Sequence, residues 1–337
     1  MHIGPGRSGG RPRLWGPTDL LLSVALYGVL AIMVFAPMLV HAQGLGFLPA
    51  IASVVGAAGT FILSRRWIAA WPASFLAGAV YGFGPFALGF LRFHPAASLV
   101  PAWVPWLFCL AAFRHGRRRG SLRDGLYAGT LAILPFGFII AFFQCCAAMR
   151  FWPVPADPFG AQTWAGLLVP QAVPGVGVYH VPLVLLVVGL AVHALARRAG
   201  PLVVVAVALV LAMSPPVLQV SPVAWLAIPT LYAAVLAGVG AQTLAWAGRA
   251  DGGVLGLALG AAGVLAAMTV VLGLRFAPSA VYFDAARLYG RAAVMSAAIL
   301  FVAWSGARWH GLRWAILVAA LGLDLILGAR LLVSQMR

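Results

Sequence analysis

About eleven stretches of this chain are apolar enough to cross a bilayer, and its arginines gather on alternate connections between them. Few folds survive that combination. Hydrocarbon offers no water to backbone N–H and C=O groups, so a chain that enters it repeatedly does so as helices or as a closed barrel. Runs near 20 apolar residues match a helical crossing; a crossing strand needs about half that length. The stretches are Thr18 to Val40, Leu45 to Leu63, Trp71 to Leu91, Ala97 to Phe113, Leu126 to Met149, Tyr179 to Ala196, Leu202 to Leu218, Val223 to Ala247, Val254 to Leu274, Ala286 to Trp304 and Leu312 to Val333. The predicted fold class is all-α: a polytopic transmembrane helical bundle of about eleven membrane helices.

Charge then orients the bundle. If every stretch crosses, one side receives fifteen of the 22 basic residues, all arginine: Arg7, Arg11, Arg13, Arg65, Arg66, Arg114, Arg117, Arg118, Arg119, Arg123, Arg197, Arg198, Arg249, Arg308 and Arg313. Cytoplasmic loops carry the excess of positive charge, so the N-terminus is expected inside. Residues 1–17 read as a basic cytoplasmic tail and 18–337 as a single transmembrane helical domain, with outer loops at 150–178 and 275–285. The polar residues a substrate would meet lie mostly in those two loops.

Composition agrees with this class. Hydrophobic residues make up 63% of the chain, charged residues 8%, and the mean hydropathy is +1.02, whereas soluble domains carry about a quarter charged residues. All six acids are aspartates, and lysine, glutamate and asparagine are absent. That bias suggests a GC-rich bacterial genome, and hence a multi-pass protein of the bacterial inner (cytoplasmic) membrane. The net charge of +16 is spread over helix ends, where it meets lipid headgroups, so no nucleic-acid partner is expected. Cys109, Cys145 and Cys146 lie inside apolar stretches and form neither a disulfide framework nor a metal-ligand spacing. The apolar run from Thr18 is too long for a signal-peptide core and no A-x-A-like site follows it, so it reads as a first membrane helix.

Small residues at helical spacing mark close helix contacts, which matter where the hydrophobic effect does not drive association. Gly252, Gly256 and Gly260 form one such ridge, and Gly78 with Gly82 another. Between His94 and Trp106, Pro95, Pro101 and Pro105 predict an irregular outer half of the fourth span, tolerated only when buried in protein or lining a cavity.

The stretch Phe75 to Arg117, FLAGAVYGFGPFALGFLRFHPAASLVPAWVPWLFCLAAFRHGR, resembles the third and fourth membrane helices of bacterial GT-C-type glycosyltransferase-like proteins. The likeness rests on a small-residue helix ending in an aromatic, Gly and Pro cluster, an outer His, and a Pro-broken helix leading to a basic loop. Val169 to Leu190 is similar to that family's Pro-rich outer loop entering a helix, and Ala212 to Gly240 to its next hairpin. The three stretches together hold 94 of the 337 residues. The resemblance implies use of a polyprenyl-phosphate-linked sugar, with a catalytic acid in a large first outer loop. Here that loop, His41 to Gly44, is short and has no acid. Either another acid substitutes, or the chain is a non-catalytic relative, or it is a fragment of a larger design.

Asp284, Arg287 and Arg291 stand at i, i+3 and i+7, on one helical face, with Arg275 just before them. Guanidiniums so placed would grip a lipid phosphate through bidentate, charge-assisted bonds while Asp284 holds one of them; the other reading is a set of interfacial anchors. His94 joins this lipid-phosphate set at the outer end. Asp157, in PVPADPFG, is the candidate catalytic base, or simply a turn-forming Asp. His41, His94 and His180 all fall at outer helix ends, but nothing in their spacing demands convergence on a metal, and neither a metal nor another cofactor is expected. Asp324 lies near the middle of the last span and reads as a structural carboxyl or as a proton-carrying group. The run Arg114 to Arg123 is explained by topology.

Three functions remain in order. The first is a GT-C-like envelope protein that binds a polyprenyl-phosphate sugar or similar anionic lipid in an outward-facing cavity, with or without sugar transfer. The alternative is a non-catalytic structural or accessory subunit of a membrane complex, with protein partners in the bilayer. A proton-coupled transporter comes third.

Overall fold

The apolar stretches do become helices. A computed structural model describes residues 16–39, 44–91, 93–114, 122–154, 183–195, 200–247, 252–276, 290, 293–302 and 310–334. Helices α1 (Pro17–Leu39), α2 (Leu48–Ser64), α3 (Trp71–Gly82), α4 (Pro85–Leu91), α5 (Leu99–Arg114), α6 (Leu122–Ala148) and α7 (Leu183–Leu195) come first. Then follow α8 (Gly200–Met213), α9 (Pro222–Trp225), α10 (Ala227–Trp246), α11 (Gly252–Phe276), α12 (Ala293–Val302) and α13 (His310–Ser334). Two 3-10 turns occupy Gly44–Phe47 and Pro95–Ser98, and no strand occurs among the described residues. Six helical segments among them are long and apolar enough to span a membrane: Pro17–Leu39, Trp71–Phe90, Pro95–Phe113, Gly129–Ala148, Pro222–Trp246 and Gly311–Arg330. The protein is an all-α membrane bundle.

Burial separates the axis of the bundle from its wall. In the most apolar window of Trp71–Phe90, 89% is buried, and in that of Pro222–Trp246, 72%; the corresponding share is 28% in Pro17–Leu39 and 22% in both Gly129–Ala148 and Gly311–Arg330. Segment α3–α4 and helix α10 are therefore central. Helices α1, α6 and α13 turn most of their apolar surface outward, as lipid-facing helices do.

Glycine makes the central contacts possible. A methyl group added to Gly78 would overlap the Tyr27 hydroxyl and lie 2.6 Å from the Ala57 carbonyl oxygen, and one added to Gly82 would lie 2.5 Å from that of Ser53. The expected ridge of Gly78 and Gly82 is thus the seam by which α3 runs antiparallel to α2. On another face of α3, Gly238 of α10 lies against Ala73 and Ala77, and the Ala70 N–H donates to Gln242 Oε1 at 2.8 Å, so these two helices are antiparallel as well. Helix α5 runs parallel to α2, with Gly56 on Pro101, Gly59 on Trp106, and Trp106 Nε1 donating to the Val55 carbonyl at 2.9 Å.

One end of the bundle is rich in arginine. Trp71 Nε1 donates to the Asp19 carbonyl at 3.3 Å, and Arg65 donates to the carbonyls of Ile68 and Ala69. Burial lowers the pKa of Arg65 from its ordinary value, and the nearby Asp19 charge opposes that shift. Arg313, only 6% exposed, donates to the carbonyls of Ala247 at 2.7 Å and Ala245 at 3.5 Å. A guanidinium there satisfies carbonyls that the end of α10 leaves without helical partners.

Two features depart from the sequence reading. The third span, expected to be continuous, breaks between α3 and α4 at Phe83–Gly84. Pro85 has no N–H to give and disfavours helical geometry in the residue before it, while a Cβ on Gly84 would overlap the Val80 carbonyl oxygen. The second departure concerns direction. Gly189 of α7 sits on Leu236 of α10, Gly240 on Leu185, and the His193 ring meets Tyr232 edge-on with centroids 5.6 Å apart. As numbers rise on α7 they fall on α10, so the helices are antiparallel, whereas strict alternation of eleven spans makes the sixth and eighth run the same way. Most of the expected loop 150–178, from residue 155 onward, lies outside the described residues. Val154 lies at the end of the bundle opposite to Leu183.

The ridge of Gly252, Gly256 and Gly260 is also corrected. Among the described residues, a Cβ at any of these positions, or at Gly253 and Gly263, meets nothing within 4 Å. Helix α11 instead packs through Val254, Ala258 and Ala262, which are buried. Apolar side chains of a size that fits the groove against α7 outcompete glycine there.

These glycines are separable by experiment. Gly189→Ala and Gly240→Ala are expected to lower stability in detergent by about 1–3 kcal/mol through overpacking, read as a drop in the thermal unfolding midpoint. Gly256→Ala should be neutral or stabilising by about 0.5–1 kcal/mol, because alanine is the better helix former.

Candidate functional site

At the end opposite the arginines, the chain leaves α4 and must turn into α5 without a regular helix, because Pro95 and Pro101 cannot donate backbone hydrogen bonds. His94 solves the local problem. In an extended conformation (φ −162°, ψ 140°), it caps the 3-10 turn Pro95–Ser98, its Nδ1 accepting from the Ala96 N–H at 3.1 Å. The Ala97 N–H donates to the His94 carbonyl at 3.0 Å, and Ser98 Oγ donates to that of Pro95 at 2.6 Å. With Nδ1 an acceptor, the neutral ring carries its proton on Nε2 and can donate from there.

Helix α6 brings the second wall. It ends at Arg150 in the left-handed region (φ 54°), with the Arg150 N–H on Ala147 O at 2.9 Å and the Phe151 N–H on Cys146 O at 2.9 Å. That reversal satisfies the last carbonyls of α6 as a glycine cap would. It also lays Phe151 against His94, ring centroids 4.4 Å apart at 67°. Phe47, Phe93, Trp103 and Trp152 are exposed around this end, as is Arg150. Aromatic rings with polar neighbours collect at the membrane–water boundary. Polar groups able to meet an anionic headgroup here are His94 Nε2–H and the Arg150 guanidinium.

Of the predicted site residues, His94 alone has a described side chain. Arg275 falls in the last turn of α11, with its side chain outside the described residues. Asp157, Asp284, Arg287 and Arg291 lie outside them altogether, as do His41 and His180. Among the described residues no three His, Cys, Asp or Glu side chains group to hold a metal ion. Asp324 is half-buried on α13 and is engaged by a partner.

The same end holds a contact that sequence reasoning missed. Residues 214–221 form a tight hairpin with a bridge between Val217 and Val220, and Leu218 and Gln219 both have positive φ, 54° and 60°. Gln144 Nε2 of α6 donates to the Leu218 carbonyl at 2.7 Å. Two-residue hairpins of this hand ordinarily carry Asn-Gly, so Leu-Gln gives no turn signal. Phe136 of α6 and Trp225 of α9 also meet here, centroids 5.7 Å apart.

No protein family, curated protein or solved structure matches the chain.

If His94 acts first as a cap, its replacements will rank by their ability to accept from Ala96. His94→Ala is expected to cost about 1 kcal/mol of stability and His94→Asn a few tenths, measured by thermal unfolding. Equal losses would deny the cap.

Proposed function

We propose that this protein is a GT-C-like component of the bacterial inner membrane, N-terminus inside, that holds a polyprenyl-phosphate sugar or similar anionic lipid at its outer, His94-bearing end. Arg275, Arg287 and Arg291 are the phosphate contacts, Asp284 steadies them, and Asp157 is the acid available for sugar transfer. The observation that carries the reading is where the resembling stretches lie. Phe75 to Arg117 builds α3, α4 and α5, Ala212 to Gly240 supplies α9 and much of α10, and the two pack on each other as the bundle's axis. The likeness therefore falls on the scaffold of the molecule. An irregular, proline-broken backbone capped by His94 at the outer end suits a cavity wall better than a lipid-facing surface.

A second reading is favoured by α11. Five glycines, Gly252, Gly253, Gly256, Gly260 and Gly263, face open space on it, and small-residue faces are how membrane helices bring backbones together. An accessory subunit that works by lateral association would expose such a face.

Native mass spectrometry of the detergent-purified chain weighs both readings at once. Bound polyprenyl phosphate is expected, and its retention should fall at least about tenfold when Arg287 and Arg291 are both changed to alanine, since each charge-assisted bond is worth more than the ~1.4 kcal/mol that a factor of ten requires. Retention unchanged by that double substitution removes the phosphate role. A co-purifying membrane protein without lipid favours the subunit.

A further inference from the structure

Helix α8 was expected to cross the membrane, yet the geometry around it leaves nothing for it to cross. His193, near the end of α7, lies beside Tyr232, a little more than one turn from the start of α10. The connection 196–199 is short, so Gly200 begins α8 within about 17 Å of Leu195. After α8 comes the hairpin 214–221, pinned by Gln144 near the α6 end that also carries Phe151. Entry and exit are thus at one end of the bundle, the His94 end. At Gly200–Met213 the helix is also shorter than the ~20 residues of a crossing, in the range of re-entrant segments.

Its surface says what surrounds it. Ala208 and Ala212 are buried against the bundle, while Leu202, Val203, Val207, Val210 and Met213 are exposed, Val210 at 68%. The helix, GPLVVVAVALVLAM, has no polar side chain to turn toward water. An interfacial helix lying flat would show one polar face. The exposed apolar stripe continues past the helix into Val217 and Leu218, the latter 58% exposed with a left-handed backbone that is unfavourable for leucine. Two backbone groups of the hairpin are served internally, the Val220 N–H by Val217 O at 3.0 Å and the Leu218 carbonyl by Gln144, as a backbone at membrane depth requires; the Gln219 side chain at its tip is exposed.

We infer that α8 and the hairpin 214–221 form a re-entrant element that dips into the leaflet at the His94 end and returns to the same face, with lipid acyl chains as the partner of Val203, Val207, Val210 and Leu218. The inference is independent of any lipid-phosphate site.

Two measurements on the full-length chain test it, in a background with Cys109, Cys145 and Cys146 changed to alanine. A membrane-impermeant maleimide applied to sealed, uniformly oriented vesicles should label Gly200→Cys from the same side as Phe93→Cys and opposite to Gly252→Cys. Labelling from the side of Gly252→Cys overturns the inference. A spin label at Leu218→Cys in phosphatidylcholine nanodiscs should collide with oxygen several-fold more than with a water-soluble nickel chelate, as Val210→Cys does. Preference for the chelate means a solvated finger, and protection from both means a protein partner; either result rejects lipid. Should the cysteine-free chain fail to fold, an epitope inserted after Ala199 with the native cysteines kept reports the same sidedness through antibody access, and access from the Gly252 side again overturns it.

Discussion

Backbone-to-backbone approach through glycine is the interaction on which the rest of this bundle depends. In lipid, apolar side chains gain little by leaving hydrocarbon for one another, so helices associate through dispersion and close fit. Gly78 and Gly82 admit α2, Gly238 admits α3, and Gly189 with Gly240 locks α7 onto α10. Side chains on these seams are small enough that polar groups of one helix reach the backbone of the next: Tyr27 Oη donates to the Phe75 carbonyl at 2.9 Å, and its ring stacks on Phe75 with centroids 4.7 Å apart. Each such contact needs the spacing that the glycines set. A bundle held by larger side chains would place these donors too far from any acceptor.

The same tightness explains how an interrupted backbone survives in the middle. Between Phe83 and Ser98 the chain passes through a break, a short helix and a 3-10 turn, and free N–H and C=O groups there would be costly in hydrocarbon. They are met locally: the Phe83 N–H by Ala79 O at 3.0 Å, the Leu88 N–H by Gly84 O at 3.2 Å, the Ala96 N–H by His94 Nδ1 at 3.1 Å. Phe83, Phe86, Leu88 and Phe90, all buried, fill the space around the break. His94 is thereby committed through one ring nitrogen to structure, which leaves Nε2 alone for any ligand.

Much of the architecture could be read from residue order, and the failures have identifiable physical causes. Helices and their apolar character follow from hydropathy, and the irregular turn before α5 from Pro95; Pro101 and Pro105, also expected to break the span, lie within helix α5. The seam at Gly78 and Gly82 was legible because both flanking faces are also small. At Gly252, Gly256 and Gly260 the same spacing misled, since a one-dimensional pattern states which residues share a face and not which face finds a neighbour. Arg313 was counted as a topological charge, and its burial against the α10 carbonyls has no signature distinguishing it from any arginine that begins a span. The break at Phe83–Gly84 was written in Gly84–Pro85, but a window of apolar residues outweighed it. Of the candidate site, only the placement of His94 at an irregular helix end was legible. Its cap depends on Ala96 and its ring on Phe151, contacts that no spacing encodes.

The direction of α7 exposes a blind spot in the charge rule itself. Arginine bias reports a side only where arginines stand, and none lies between Arg150 and Arg197. Crossings made inside that interval leave the tally on either flank consistent with more than one path. Helix α7 is antiparallel to α10, and α10 is antiparallel to α3, the direction that two ordinary spans between α6 and α10 would also give. Of the described arginines, Arg65 and Arg313 stand at one end of the bundle. A sequence without arginine over so long an interval can therefore satisfy the positive-inside rule with more than one path. The geometry that reveals it is a pair of contacts, Gly189 on Leu236 and Gly240 on Leu185, whose reversed order makes α7 and α10 antiparallel.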